Sequence, residues 1–399
     1  MNILFLSLSK MANLHAHGIY RDLIRQFVHH NHSVTIVNPI EKREGKQTSI
    51  KTDGKVRFLS VRIGNITKCR NLIEKGLSTI FLQSQYIAAI KKYCSDTKYD
   101  LVLYVTPPIT FSRVVKYIKK RDNASSYLML KDIFPQNALD INLLPSWGPW
   151  KLLVWWFKHQ ERQLYKLSDY LGCMSPKNVL YLLEHNSQIP VEKVEVCPNS
   201  IEPIPGRDIK KNRRDTSKPL TFLYGGNLGK PQGIPFLIDC LKGNINKSDR
   251  KFIVCGTGTE THLLQSFLEA YKPQNVVFIP GLPVDEYEKL VLTCDVGMIF
   301  LDHRFTIPNF PSRILSYMEK SIPILACTDR STDMGEIITQ GNFGWWCESN
   351  DVHDFITLVD TICSLDSESL ALKGNNARTY LENNYTVEHT YNTIMKHFA

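Results

Sequence analysis

No run of about 18 apolar residues occurs in the 399-residue chain, so no membrane-spanning helix is predicted. The N-terminus is apolar but lacks the cationic start and small-residue cleavage site of a signal peptide, so it reads as a first strand and the protein as cytoplasmic. None of the ten cysteines forms a C-x-x-C pair, and several sit inside apolar strands. They read as small core residues in a reducing compartment, which excludes a disulfide framework and a cysteine metal site. Neither G-x-x-x-x-G-K-[ST] nor G-x-G-x-x-G is present, so neither an ATPase P-loop nor a nicotinamide site is read. No recognition motif or basic–aromatic repeat supports nucleic acid as a partner.

What remains is the composition of an ordinary globular protein, 43% hydrophobic and 22% charged, with a net charge of +9. Two readings of that charge stand: a solvated basic surface, or attraction to nucleotide phosphates, a lipid pyrophosphate or a negative membrane face.

The chain begins the same kind of unit twice. Strand 2–6 runs into a polar loop at 7–18, a helix from 19 and a strand at 33–37; strand 220–224 runs into a Gly-rich loop at 225–233, a helix from 234 and a strand near 252–255. Further strands are predicted at 57–62, 100–105, 126–131, 170–174 and 193–197, then at 275–279, 295–300, 322–326 and 343–347. Several are continuous apolar runs, such as Leu101-Val-Leu-Tyr-Val105, as in sheets covered on both faces. Helical patterns lie between them, which predicts α/β architecture with parallel βαβ units. Residues 40–55 read as a polar loop. The predicted organisation is an N-terminal Rossmann-like domain at 1–200, a linker at 201–219 with a charge run at 210–215, and a C-terminal Rossmann-like domain at 220–384. A last helix at about 385–399 is expected to pack back on the first domain.

Three local elements carry chemistry in the second half. The loop Gly225-Gly-Asn-Leu-Gly-Lys-Pro-Gln-Gly233 brings backbone close to a ligand, points a helix N-terminus at it and adds Lys230 as a cation; a tight turn is the plain alternative. Cys255-Gly-Thr-Gly258 repeats the arrangement at the next strand end, which suggests a nucleotide crevice. Ser312 and Arg313 stand at the start of a helix after Pro311, where dipole and guanidinium together would hold an anion; a cap serine beside a surface arginine is the alternative.

In combination these motifs resemble family 4 retaining glycosyltransferases. The ordered set is Tyr224-Gly-Gly-Asn-Leu-Gly229, Val254-Cys-Gly-Thr-Gly258, Phe278-Ile-Pro-Gly-Leu-Pro283 and Phe310-Pro-Ser-Arg-Ile-Leu-Ser-Tyr-Met318 with Pro323-Ile-Leu-Ala326. Tyr99-Asp-Leu-Val-Leu-Tyr-Val-Thr-Pro-Pro108, Leu130-Lys-Asp-Ile-Phe-Pro-Gln-Asn137 and Cys197-Pro-Asn-Ser-Ile-Glu202 agree in the first half. The likeness is to the bacterial branch that builds O-antigen and capsule, including N-acetyl-fucosaminyl transferases. It implies the GT-B fold, two Rossmann-like domains facing each other across a cleft, with the nucleotide-sugar donor, expected to be a UDP-sugar, on the C-terminal domain and the acceptor on the N-terminal one. It also implies retention of configuration without a metal or other cofactor, in keeping with the absence of any D-x-D.

Carried over residue by residue, the diphosphate-gripping Arg and Lys fall at Asn227 and Gln232, leaving Lys230 and Arg313 as the available cations beside Gly233, Gly256, Gly258 and Ser312. The paired glutamates fall at Pro308 and Ser316 and are lost. Ser316 or Glu319 could replace the second, although Glu319 points about 60° away around the helix axis. Asp132, with His17, is expected at the sugar as base or orienter, with helix capping as the alternative for Asp132; His15, Gly18 and Asn137 are expected to face the acceptor. His15 and His17 lack a third ligand, so no metal is assigned. The stretch 146–159 holds Trp147, Trp150, Trp155 and Trp156 with Lys151 and Lys158, and reads either as a buried aromatic helix or as an interfacial segment on an anionic membrane, joined by 73–93 with Lys75, Lys91 and Lys92. The expected function is sugar transfer to a lipid-pyrophosphate-linked glycan at the inner face of the plasma membrane, with hexosyl or N-acetylhexosaminyl specificity. A sugar-nucleotide 2-epimerase and a catalytically silent partner subunit are the rivals.

Overall fold

The computed structural model describes residues 1–66, 72–206 and 217–398, with the backbone alone at 72–75 and 77. The charge run at 210–215 lies outside the described residues, and the side chain of Lys75 does as well. The chain divides into two units, Met1–Glu202 with Val387–Ala399, and Pro203–Thr386.

The first unit is an eight-stranded sheet with helices on it. Its strands are β1 Asn2–Leu6, β2 Ser33–Glu41, β3 Ser49–Asp53, β4 Val56–Ile63, β5 Leu101–Val105, β6 Ser125–Leu130, β7 Tyr170–Cys173 and β8 Val194–Val196. They lie in the order β3-β4-β2-β1-β5-β6-β7-β8. Every pairing is parallel except β3 with β4. The helices are α1 Ile19–His29, α2 Leu72–Tyr93, α3 Ser112–Asp122, α4 Gln136–Asp140, α5 Trp150–Leu167 and α6 Pro176–His185. Central strands such as β5 are buried at every position, because a parallel sheet needs crossover helices and these cover its faces. The expected loop at 40–55 instead holds β3, Ser-Ile-Lys-Thr-Asp, mostly exposed and antiparallel at the sheet edge. An edge strand with one open side is free to be polar, and that hides it from an apolar pattern.

The second unit is a six-stranded, all-parallel sheet. Its strands are β9 Leu220–Asn227, β10 Arg250–Thr257, β11 Val276–Ile279, β12 Val296–Phe300, β13 Ile324–Thr328 and β14 Gly344–Glu348. The order is β11-β10-β9-β12-β13-β14. Helices α7 Ile234–Lys242, α8 Thr261–Tyr271, α9 Val284–Val291, α10 Arg313–Glu319, α11 Met334–Gln340, α12 Val352–Ser364 and α13 Ser367–Asn384 flank it. Phe222, Phe252, Phe300 and Phe355 meet in its core. The sheet order reverses at β9 and β12, so the space beyond their carboxyl ends is the topological switch point where open α/β sheets take ligands.

Helix α14, Val387–Met395, belongs to the first unit. Its Ile394 and Tyr391 join the core that holds Phe5, Leu23, Phe27 and Leu103. The Tyr391 ring stacks on His30 at 4.1 Å, and its hydroxyl shares a hydrogen bond with His32 Nε2 at 2.9 Å. Beyond the helix, His397 stacks on Tyr170 at 3.7 Å and bonds Glu195 at 2.9 Å. Ile394 is fully buried, so Ile394→Ala is expected to destabilise the first unit by about 3 kcal/mol, the cost of the lost side chain and its cavity. Urea unfolding followed by tryptophan emission checks this, since four of the six tryptophans report from that unit.

Candidate functional site

The strand ends of the second unit show why glycine is required there. Gly226 and Gly256 face each other in register on β9 and β10. A Cβ on Gly256 would overlap the carbonyl oxygen of Gly226, and one on Gly258 would overlap that of Leu228. The two ends therefore close backbone to backbone, with Leu228 N–H donating to Thr257 O at 3.0 Å and Glu260 N–H to Leu228 O at 2.8 Å. Gly233 has φ +58°, the left-handed conformation that ends the short 3₁₀ turn at Lys230–Gln232 and starts α7.

Gly226 has a second task. A Cβ there would collide with the Arg313 guanidinium, so the bare backbone leaves the berth that Arg313 fills. Arg313 Nη1 donates to the Tyr287 hydroxyl at 3.2 Å, and the guanidinium lies 5.8 Å from the Tyr287 ring centre. No carboxylate is paired with Arg313 among the described residues. Asn227 Nδ2 donates to Gln232 Oε1 at 3.0 Å, so the pair closes the loop across Lys230. Lys230 is exposed and has no ion-pair partner among the described residues. Ser312 is exposed and its hydroxyl does not cap α10. The carboxyl ends of β9 and β10 thus bring together Gly226, Gly256 and Arg313, with Gly258 against the backbone of Leu228 and Asn227 bonded to Gln232 in the loop that carries Lys230.

Glu319 is placed elsewhere, which corrects the expectation that it replaces a lost glutamate at the ligand. It is fully buried, accepts the Ile204 N–H at 3.0 Å and pairs with Lys320. Lys320 in turn pairs with Glu288 at 2.6 Å, and the Ser316 hydroxyl donates to Glu288 at 3.2 Å. The carboxylate that reaches Ser316 is therefore Glu288 of α9, a residue that sequence reasoning missed. Its only signal is an acid on a neighbouring helix, 28 residues away.

In the first unit the candidate residues stand at the carboxyl ends of β1 and β6. His17 Nδ1 lies 2.9 Å from Asp22 Oδ2, and Asp22 is fully buried. Asp22 also accepts the Gly18 N–H at 2.9 Å, the Glu202 N–H at 3.1 Å and Arg25 Nη2 at 2.6 Å. This buried carboxylate fixes the imidazole, the start of α1 and the end of the first unit's longer segment at once. Asp22 was also missed; an acid in the first turn of a helix was its visible sign. His15 is exposed, with its backbone held by Asn13.

Asp132 follows β6. Burial pushes its carboxyl up to about 6, while the Asn137 amide, donating to Oδ1 at 2.6 Å, favours the charged form. Beside it, burial pushes Lys131 down to about 8, and its Nζ donates to Cys197 O at 3.1 Å. Burial thus shifts a carboxyl and an amine at one strand end toward neutrality.

The tryptophan-rich stretch splits by exposure. Trp147 and Trp155 face solvent, with Lys151; Trp150 and Trp156 are half-buried. Lys158 lies near Glu161, whose carboxyl burial pushes up to about 7. No described helix is long and apolar enough to cross a membrane.

These two sheets define a GT-B fold, two parallel-sheet α/β units. Residues 207–380, within the second unit, match the family model of glycosyl transferases group 1. The chain is 23% identical over 321 residues to the probable glycosyltransferase WbjE of Pseudomonas aeruginosa, covering 79% of this chain and 78% of that protein. Among solved structures, an Escherichia coli trehalose-6-phosphate protein bound with UDP-2-fluoro glucose superposes with a TM-score of 0.75 at 10% identity, over 100% of this chain and 98% of that one. Sucrose-phosphate synthase of Thermosynechococcus elongatus gives 0.76 at 12% identity, over 100% and 98%. Anabaena HepE in complex with UDP-glucose gives 0.67 at 15%, over 100% and 99%.

Gly256→Ala tests the strand closure. The added methyl has only backbone to displace, so the substitution is expected to cost about 3 kcal/mol by overpacking. A fall in the thermal midpoint with no change in secondary-structure content checks it; an unchanged midpoint would show that the strand ends are free to separate.

Proposed function

We propose that this glycosyltransferase moves a sugar from a UDP-sugar to a lipid-pyrophosphate-linked glycan in bacterial surface polysaccharide synthesis, with retention of anomeric configuration. The observation that carries the reading is Arg313, berthed over Gly226 with no carboxylate partner among the described residues, at the switch point of the unit that matches the group 1 glycosyltransferase model, with Lys230, unpaired among the described residues, in the loop after β9. Two cations there suit a nucleotide diphosphate, first as ligand and then as leaving group. The UDP-sugars named with two of the structural neighbours support the donor class, and the Pseudomonas relative, named a probable glycosyltransferase, supports sugar transfer.

In the proposed reaction the bond from the sugar C1 to the phosphate oxygen breaks, and the acceptor oxygen bonds C1 on the same face. The acceptor proton passes to the leaving diphosphate. Arg313 and Lys230 hold the diphosphate, while Asn227, Gln232 and the glycine edge fit its oxygens. Asp132 and His17 orient the acceptor hydroxyl. Trp147, Trp155 and Lys151 would rest on an anionic membrane, which puts the enzyme at the inner face of the plasma membrane.

Incubation with UDP-, GDP- and TDP-sugars tests the reading. Saturable UDP-sugar binding with donor hydrolysis supports it, and Arg313→Ala is expected to weaken that binding at least about tenfold, the worth of one charged hydrogen-bonding group. Isomerisation of a UDP-sugar without an acceptor would favour an epimerase, and absence of any binding a silent subunit.

The carboxylate of Asp132 is the form expected to orient the acceptor. Its proton affinity is raised, so the charged form is lost as pH falls through about 6, and turnover should fall with it. Asn137→Ala removes the amide that favours the charge, so the inflection should move to higher pH. An acid limb that stays in place in this variant assigns that limb to another group.

A further inference from the structure

Between α2, α3 and α5 the first unit has an open groove of about 480 Å³. Its hydrogen-bonding groups are unevenly spent. The Gln83 side-chain oxygen accepts the Arg113 N–H at 2.9 Å, and the Gln160 oxygen accepts the Ser112 hydroxyl at 3.4 Å. The first turn of α3 thus engages two of the groove's acceptors. The Arg113 guanidinium, the Lys116 ammonium and the Trp156 indole N–H have no hydrogen-bond partner among the described residues.

Arg113 and Lys116 stand three residues apart on the exposed side of α3, an arrangement of like charges that costs a helix stability. No carboxylate is among the described residues that line the groove. Donors and two cations without partners among the described residues suit an acceptor-only anion, a phosphate above all.

The rim says what carries the phosphate. Ile80 and Phe81 on α2 are 50% and 56% exposed, and Leu152 and Trp155 on α5 are 75% and 63% exposed. Trp155 stacks at 5.7 Å on His159, itself a groove residue, so the apolar rim is continuous with the groove. Large exposed apolar side chains around a cationic pocket form an interfacial pattern, rings and aliphatic groups at headgroup depth and cations on lipid phosphate.

We infer that this groove binds the phosphodiester headgroup of an anionic bilayer phospholipid, with Arg113, Lys116 and Trp156 on the phosphate and Ile80, Phe81, Leu152 and Trp155 in the bilayer surface. The assignment rests on the proposed membrane-bound acceptor, and adds a lipid site separate from the residues assigned to sugar transfer.

Co-sedimentation of the full chain with phosphatidylcholine vesicles, alone, with phosphatidylglycerol, or with a trace of isoprenyl diphosphate, tests it. Wild type should bind the phosphatidylglycerol vesicles. Arg113→Gln/Lys116→Gln should bind them about thirtyfold more weakly, the effect of two cations near the surface, while UDP binding stays unchanged and the thermal midpoint does not fall. Lys46→Gln/Lys51→Gln, which removes the same charge from the β3 edge, should bind like wild type. Equal binding by the Arg113/Lys116 variant and wild type would overturn the groove alone and leave the membrane reading standing. Binding that required isoprenyl diphosphate and was lost in that variant would overturn the phospholipid assignment. If wild type bound no vesicle, the groove and the membrane reading would fall together.

Discussion

A parallel strand buried on both faces has only its two ends left for chemistry, and the structure follows from that constraint. The hydrogen-bonded interior of each sheet is covered by crossover helices, so polar groups that must meet a ligand collect where strands give way to loops. In the second unit the closure of β9 on β10 needs Gly226 and Gly256 bare. The same bare backbone lets Arg313 lie over the strand end, so one packing requirement also places a charge. In the first unit the ends of β1 and β6 carry His17 and Asp132, and each is set by a neighbour, Asp22 for one and Asn137 for the other.

Burial sets the chemistry of these groups differently in the two units. Asp132 and Lys131 are shifted toward neutrality by desolvation, with few compensating bonds. Arg313 keeps tyrosine hydroxyls about it, with Tyr287 in direct contact. A guanidinium tolerates such a setting because its charge is delocalised and weakly hydrated. The lysine at the other strand end pays for burial in proton affinity, while the arginine remains a fixed cation.

Most of the architecture was legible in the chain because buried strands announce themselves. Runs such as Leu101–Val105 have no polar position, and each is a strand of the structure. β3 escaped because it is polar at an edge, where neither sheet face nor partner strand demands an apolar side chain. In the candidate site the glycines and Arg313 stood out by type and spacing. Tyr287 and Glu288 did not, since the berth of Arg313 and the partner of Ser316 arise from how α9 lies against α10, which no local pattern encodes. Glu319 shows the opposite failure. Its sequence position invited a ligand role, but the turn of α10 points it inward to Lys320 and the Ile204 amide.

The return of α14 to the first unit governs the order in which the chain can complete itself on the ribosome. Residues 1–202 emerge before any of 203–386, and the surfaces of α1 and β7 that Tyr391, Ile394 and His397 will cover stay open throughout that interval. The second unit, contiguous along the chain, is the first whose parts are all available. The domain made first is thus the one finished last, and it spends its synthesis with an apolar face exposed to whatever chaperone or membrane is near.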